Sequence, residues 1–225
     1  MAKARIITLE GGEGTGKSTQ IDLLARSVES AGIGYVQSRE PGGAKVAEVI
    51  RAFLKNDPNH PLYKSVEEFY RDDFTPGQQL ILFNAARIFF LKEIVQPTLA
   101  TGKWLILDRF MASTFAYQGY GGGLDFQTVH QTIQLAVGDL KPDLTVILDV
   151  PVETALKRAN RDEGSRFEDK GPDYHENVRK GYLAYAKDNP ETTVVINGTE
   201  DIPTVHRAIV EELNRRFSLN LQPQI

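Results

Sequence analysis

Residues 5–18 read RIITLEGGEGTGKS, and this stretch decides the fold. Residues 5–9 (RIITL) are rich in β-branched side chains, the pattern of a strand buried on both faces. Glycines then interrupt the run, and Gly11-Gly12-Glu13-Gly14-Thr15-Gly16-Lys17-Ser18 satisfies G-x-x-x-x-G-K-[ST]. From Lys17 the spacing changes. Ile21, Leu24 and Val28 recur at helical intervals and predict a helix over 17–31. Strand, glycine turn and helix together make a phosphate cradle. The glycines let backbone N–H groups turn inward around phosphate oxygens, and the helix N-terminus adds partial positive charge. Lys17 can reach the β- and γ-phosphates of a nucleotide, and Ser18 can offer its hydroxyl to Mg²⁺. Thr15 and Thr19 complete a nucleotide-binding stretch that runs from Gly11 to Thr19.

Working outward, three more apolar runs read as buried strands: 104–107 (WLIL), 144–148 (LTVIL) and 193–196 (TVVI). A weaker one, 35–38, follows Gly32 and Gly34. Helix-period stretches lie between them at 78–99, 152–159, 177–187 and 204–217. Strands alternating with helices predict an α/β fold of the P-loop nucleotide-binding kind, with a five-stranded parallel sheet covered by helices on both faces. The whole chain, 1–225, reads as one such domain. The stretch 56–77 holds Pro58, Pro61 and Pro76, and reads as an insert with a short helix at 66–70. Residues 157–172 are charged without apolar period and read as a mobile lid. Residues 220–225 read as a frayed tail.

Composition narrows the class. Twenty-six basic residues against thirty acidic ones give a formal net charge of −4, so there is no basic footprint for nucleic acid. With no cysteine, disulfides and thiol chemistry are excluded. The opening residues lack a signal peptide's apolar core, and no run reaches the ~20 apolar residues of a spanning helix. A cytoplasmic protein that does not engage a membrane is expected.

A P-loop specifies a nucleotide, not a reaction. A guanine-specific switch would carry N-K-x-D late in the chain, which is absent. The remaining chemistry-bearing residues suit an acceptor that is itself a phosphate. Two anions held in line must have their repulsion neutralised, and arginine does this with a planar fork that stays charged. Asp108 and Arg109 close the 104–107 strand, at the end where α/β sheets bind ligands. Asp108 can hold a metal-bound water and Arg109 a phosphate; the alternative is an ion pair between them that caps the strand. Phe83 and Arg87 share a helix face at i and i+4, as a base platform with a hydrogen-bonding partner or as ordinary core. Arg39 and Pro41 begin a turn after the second strand, and Arg51 lies about two helical turns beyond it. Ser113, Thr114, Tyr117 and Gln118 follow Arg109 and can line a sugar pocket or serve as cap and core. The charged loop, Arg161 and Arg166 among its basic residues, is either solvated surface or a lid that brings arginines over phosphates on closure.

Taken together, the segments E-G-x-E-G-x-G-K-S at 10–18, R-E-P-G-G at 39–43, F-x-A-x-R at 83–87, D-R-x-x-x-S-x-x-A-Y-Q at 108–118 and P-D-L-T-x-x-L-D-V at 142–150 resemble the thymidylate kinase family over nearly the whole chain. The resemblance implies an ATP-dependent transferase that phosphorylates dTMP to dTDP with Mg²⁺, in nucleotide biosynthesis, as a homodimer. Gly11 to Thr19 would bind ATP. Glu13 would approach the acceptor's 3′-hydroxyl. Arg109, with Arg51 and Arg39, would hold the acceptor phosphate. Phe83 would stack on thymine and Arg87 bond its carbonyl. Tyr117 would crowd the 2′ position and favour deoxyribose. The family draws a catalytic arginine from the P-loop or the lid. Here the P-loop has none, which leaves Arg161 and Arg166. Thr114 stands where some members carry asparagine facing the base, and 56–77 is longer than in compact members. A kinase for another nucleoside or monophosphate, and a nucleotide-dependent switch or ATPase, are the alternatives.

Overall fold

The computed structural model describes residues 3–55, 61, 74–159 and 170–224. Its five strands are β1 (Ile6–Glu10), β2 (Tyr35–Arg39), β3 (Trp104–Asp108), β4 (Leu144–Asp149) and β5 (Thr193–Asn197). All pair in parallel in the order β2-β3-β1-β4-β5, as the alternation of strands and helices predicts. Each ends within a residue or two of its expected boundary.

Strand alternation assigns the core to two faces. Ile7 and Leu9 of β1 point to the side covered by α1 (Lys17–Ser30) and α9 (Ile202–Phe217), where Leu24, Val28, Ile209 and Leu213 are fully buried. Ile6 points to the other side, with Leu105 and Leu107 of β3. That side is covered by α3 (Pro76–Phe90), which contributes Phe90, and by α6 (Phe126–Val137), which contributes Val129 and Ile133. Burying each such side chain contributes about 1.5–3 kcal/mol, so both layers are firmly held. β1 therefore lies at the centre of a two-sided core, and its C-terminal end, where the P-loop begins, is a fixed platform.

Several expectations need correction. The long helix starts at Pro76, not 78, because Thr75 caps it reciprocally with Gln78 and Pro76 fits the first turn. Pro76 and Gly77 thus leave the supposed insert; the rest of that insert, including the short helix at 66–70, lies outside the described residues apart from Phe74, Thr75 and Pro61. Past Phe90 the helix widens into a π segment (Leu91–Val95) and resumes as α4 (Gln96–Ala100). Pro97 sits in the first turn of α4, where its missing N–H is tolerated. Two helices were not anticipated at all: α2 (Lys45–Lys55) and α6. The segment after β3 is a short helix, α5 (Met111–Thr114), that widens into a π segment (Phe115–Gly121).

The lid's flanks are helical: α7 (Val152–Arg158) precedes it, and α8 (Pro172–Asp188) begins five residues before the expected 177. Gly171 precedes α8 and Pro172 opens it, the usual start signal. Residues 160–169, with Arg161 and Arg166, lie outside the described residues. The tail is not frayed through residue 224. Leu221 is 3% exposed and exchanges hydrogen bonds with the Asn214 side chain, and the Gln224 N–H donates to Ser27 Oγ at 3.1 Å.

Candidate active site

The glycine loop wraps the end of β1 as its sequence requires. Gly14 has φ +71°, and a Cβ there would lie 1.9 Å from the Ala155 carbonyl oxygen, so the loop can pack on α7 only with glycine at this position. Gly16 precedes α1 and offers no side-chain cap, which leaves the first-turn N–H groups of α1 facing outward for an anion. Lys17 is buried and turned back on its own loop, donating to the carbonyls of Gly12 at 2.7 Å and Gly11 at 3.1 Å. Burial, reinforced by the Arg109 charge, pushes its ammonium down to about 8. Phosphate oxygens entering the loop would offer Lys17 far better acceptors than two carbonyls.

One large cavity, about 1080 Å³, joins this loop to the C-terminal end of β3. That volume exceeds what one drug-sized ligand needs and suits two nucleotides. Glu13, Gly14, Thr15, Gly16, Lys17, Ser18 and Thr19 line one part. Arg39, Pro41, Arg51, Phe83, Arg87, Asp108, Arg109, Ser113, Thr114, Tyr117 and Gln118 line another. Every expected acceptor-side residue thus faces the same space. Gly11 and Gly12 do not. They line a smaller cavity behind the loop, with His175 and Arg179.

Arg109 is the hub. Its Nη2 donates to Glu13 Oε1 at 2.7 Å and to Tyr117 Oη at 3.2 Å. Its Nη1 donates to Tyr182 Oη at 2.8 Å, the Gly11 carbonyl at 3.0 Å and Ser113 Oγ at 3.2 Å. The ion pair is therefore with Glu13, 96 residues away, and not with Asp108 beside it. Burial alone would raise the Glu13 carboxyl, but Arg109 and then Lys17 outweigh it and hold Glu13 at about 2. Glu13 is ionised at neutral pH and keeps Arg109 oriented across the cavity floor.

Arg87 is 3% exposed and deeply engaged. Nε donates to Glu40 Oε2 at 2.8 Å, Nη1 to Asn84 Oδ1 at 2.9 Å, and Nη2 to Thr114 Oγ1 at 3.0 Å and the Phe110 carbonyl at 3.3 Å. One N–H of Nη1 has no acceptor among the described residues, and Arg87 lines the cavity wall. Thr114 is committed to Arg87 and Gln118 to Gln79, so both shape the wall from behind. Phe83 packs one edge on the cluster of Ala112, Ala116, Tyr117 and Tyr182 and turns the other to the cavity. Arg39 is held by Glu48 at 3.1 Å, and the same carboxylate accepts from the Gly43 N–H at 2.7 Å. Arg51, half-buried, donates to the Pro41 carbonyl at 2.8 Å.

The donor set for a metal is oxygen only. Among the described residues Asp108 Oδ1 is buried with no hydrogen-bond partner, and the exposed Ser18 lines the same cavity. Those groups fit a hard divalent cation that completes its shell with phosphate and water. Among the described residues, no group of three or more acidic or histidine side chains could hold an ion unaided.

Sequence reading missed four residues of this arrangement. Glu40 and Glu48 anchor Arg87 and Arg39, Tyr182 of α8 supports Arg109, and Arg158 clips α7 to the Gly198 carbonyl at 2.8 Å at the donor end of the cavity. Glu40 lay in plain sight inside R-E-P-G-G, and a buried arginine's need for a counter-charge was the available signal. Tyr182 carried none.

The family model of thymidylate kinase matches residues 9–209. The chain is 39% identical over 220 residues to the thymidylate kinase of Afipia carboxidovorans, covering 96% of this chain and 91% of that one. It is 41% identical to the thymidylate kinase of Geotalea uraniireducens, covering 94% and 97%. The crystal structure of thymidylate kinase from Ehrlichia chaffeensis superposes with a TM-score of 0.72 at 30% identity, over 93% of this chain and 98% of that one.

Proposed function

The chain belongs to the thymidylate kinase family, whose reaction is ATP-dependent phosphorylation of dTMP to dTDP, and we propose how its own residues divide that work. An oxygen of the dTMP phosphate attacks the γ-phosphorus of ATP while the bond to the β–γ bridging oxygen breaks. ADP leaves, and no general base is needed because the acceptor is already ionised. The loop from Gly14 to Thr19 cradles the donor phosphates, with Lys17 released from the Gly11 and Gly12 carbonyls to follow the transferring group. Arg109, backed by Arg51 and Arg39, receives the acceptor phosphate. Glu13 lies beside the acceptor sugar, and Tyr117 closes its 2′ side. Phe83 and the remaining Arg87 N–H take the base, within a wall shaped by Ser113, Thr114 and Gln118. Arg161 and Arg166 supply charge to the transition state. Ser18 and, through a water, Asp108 would hold Mg²⁺, which would supply positive charge against the donor phosphates.

One observation carries this reading: the phosphate loop and Arg109 line the same cavity, with Arg109 already tethered to the loop through Glu13 and Gly11. A coupled ADP-release assay tests it with dTMP, dUMP and thymidine as acceptors. Turnover is expected to be fastest with dTMP; turnover independent of acceptor would contradict it.

We also read the protein as a cytoplasmic homodimer. Among the described residues no helix is long and apolar enough to cross a membrane, and the net charge of −4 gives no basic footprint for nucleic acid. Ile81 (66% exposed) and Ile88 (50% exposed) share α3 with the exposed Phe89, an apolar face that a second copy would cover. Sedimentation at micromolar concentration should give a dimer mass; a monomer would refute the assembly.

A further inference from the structure

Glu10 is the last residue of β1 and is fully buried. It does not line the large cavity, and none of the chemistry above uses it. Both of its oxygens are committed. Oε1 accepts from the Phe110 N–H at 2.7 Å, and Oε2 accepts from the Ser113 hydroxyl at 2.6 Å. These two donors flank the start of α5, directly after Arg109.

Arg109 itself has φ +69°, a left-handed conformation that an arginine keeps only when its neighbours hold it there. Its N–H donates to the Leu9 carbonyl at 3.0 Å, which fixes the near side of the turn. Glu10 fixes the far side. Because Ser113 gives its only proton to Glu10, Tyr182 donates to Ser113, and Tyr182 can then accept from Arg109. The chain Glu10–Ser113–Tyr182–Arg109 therefore has one consistent direction, and it depends on an acceptor at position 10. Without that acceptor, the buried Phe110 N–H would lack a partner, and the Ser113 hydroxyl would be free to donate to Tyr182 instead, reversing that link.

We propose that Glu10 is a positioning residue for phosphoryl transfer: by holding Phe110 and Ser113 it fixes the left-handed turn at Arg109 and so aims the guanidinium at the acceptor phosphate. The inference rests on Arg109 being the acceptor-phosphate ligand. The competing reading is that Glu10 acts on the donor side, because Lys17 is also within its electrostatic reach.

A double-mutant cycle on the full-length enzyme separates these. Glu10→Gln keeps the shape but cannot accept from Ser113 and Phe110 together. Its kcat/KM for dTMP is expected to fall about 10–50-fold, with the ATP dissociation constant within about twofold of the parent. In an Arg109→Ala background, the same substitution should cost less than about threefold, because the group it positions is gone. A full, multiplicative loss in that background would overturn the proposal, and so would loss of ATP affinity in step with activity. If Arg109→Ala alone leaves kcat/KM for dTMP unchanged, the acceptor-site reading fails and the proposal falls with it. A normal Arg109 effect with an inert Glu10→Gln defeats the proposal alone. Should Glu10→Gln not fold, Glu10→Asp draws the carboxylate back by one methylene and enters the same cycle, with the same outcomes deciding.

Discussion

Glu40 and Arg87 form a buried ion pair, 6% and 3% exposed, at 2.8 Å. Burial raises the Glu40 carboxyl above its usual range even though Arg87 pulls it down, so desolvation exceeds what the partner returns. That ordering of terms makes a prediction with two parts. Glu40→Gln leaves the Arg87 charge buried with only neutral acceptors, and should destabilise the protein by about 2–4 kcal/mol, toward the lower end of broken buried pairs because Asn84, Thr114 and Phe110 still engage Arg87. For a chain of this size each kcal/mol lowers Tm by about 2–4 °C, so a fall of about 4–16 °C is expected. Replacing both partners, Glu40→Leu with Arg87→Met, removes both desolvation costs and should restore stability to within about 1.5 kcal/mol of the parent. The same double variant should lose about 100-fold in kcat/KM for dTMP, because the Arg87 guanidinium at the cavity wall disappears. Calorimetry and steady-state kinetics on the same preparations give both readouts. A double variant less stable than Glu40→Gln, or a single variant within 1 °C or so of the parent, would refute the reasoning.

Three further outcomes are expected. Arg109→Lys keeps the charge but loses the fork that engages Glu13, Tyr117 and Tyr182 at once; kcat/KM for dTMP should fall at least about tenfold, and an unchanged value in initial-rate assays would remove bidentate geometry from the account. Lys17, held at about 8 in the free protein, is partly neutral at pH 8.5 and should take up a proton when phosphates arrive; calorimetry in buffers of different ionisation enthalpy should show proton uptake at pH 8.5 that fades by pH 6.5, where Lys17 is already charged, and no uptake at either pH would contradict this. Gly14→Ala forces a methyl to 1.9 Å from the Ala155 carbonyl at φ +71°; a loss of about 2–4 kcal/mol in stability and a collapse of ATP binding are expected, checked by thermal unfolding with and without ATP.

The elements that sequence reading located are those whose chemistry is local. WLIL and LTVIL are buried on both faces and read as strands from composition alone, and the P-loop is a local motif whose context is a strand before and a helix after. Of the two missed helices, Lys45–Lys55 does carry a helical apolar pattern, with Val46, Val49, Ile50, Phe53 and Leu54 between its charges, and it was passed over beside the glycine turn that precedes it; Phe126–Val137 is rich in Gln and Thr, which blurs its apolar face. The π segments Leu91–Val95 and Phe115–Gly121 arise from a one-residue slip in hydrogen bonding, which leaves no mark on composition. The tail looked free because its anchor is tertiary: Ser27 lies 197 residues from Gln224. The site divides the same way. Arg109, Arg87 and Phe83 stood out in the sequence because phosphate and base recognition demand particular residue types, and all three line one cavity. Glu10, Glu40 and Tyr182 were not, because a buried carboxylate or phenol acquires its role only from what the fold sets beside it.

The central claim is that one cleft holds two anions end to end, the donor on main-chain amides and the acceptor on guanidinium groups. The direct measurement is a crystal structure with dTMP and a non-hydrolysable ATP analogue bound together. The account expects dTMP phosphate oxygens within hydrogen-bonding distance, about 3 Å, of the Arg109 guanidinium, thymine against Phe83, and the analogue's phosphates on Gly14 to Thr19. Density for dTMP away from Arg109, or a wall of protein between the two ligands, would contradict it.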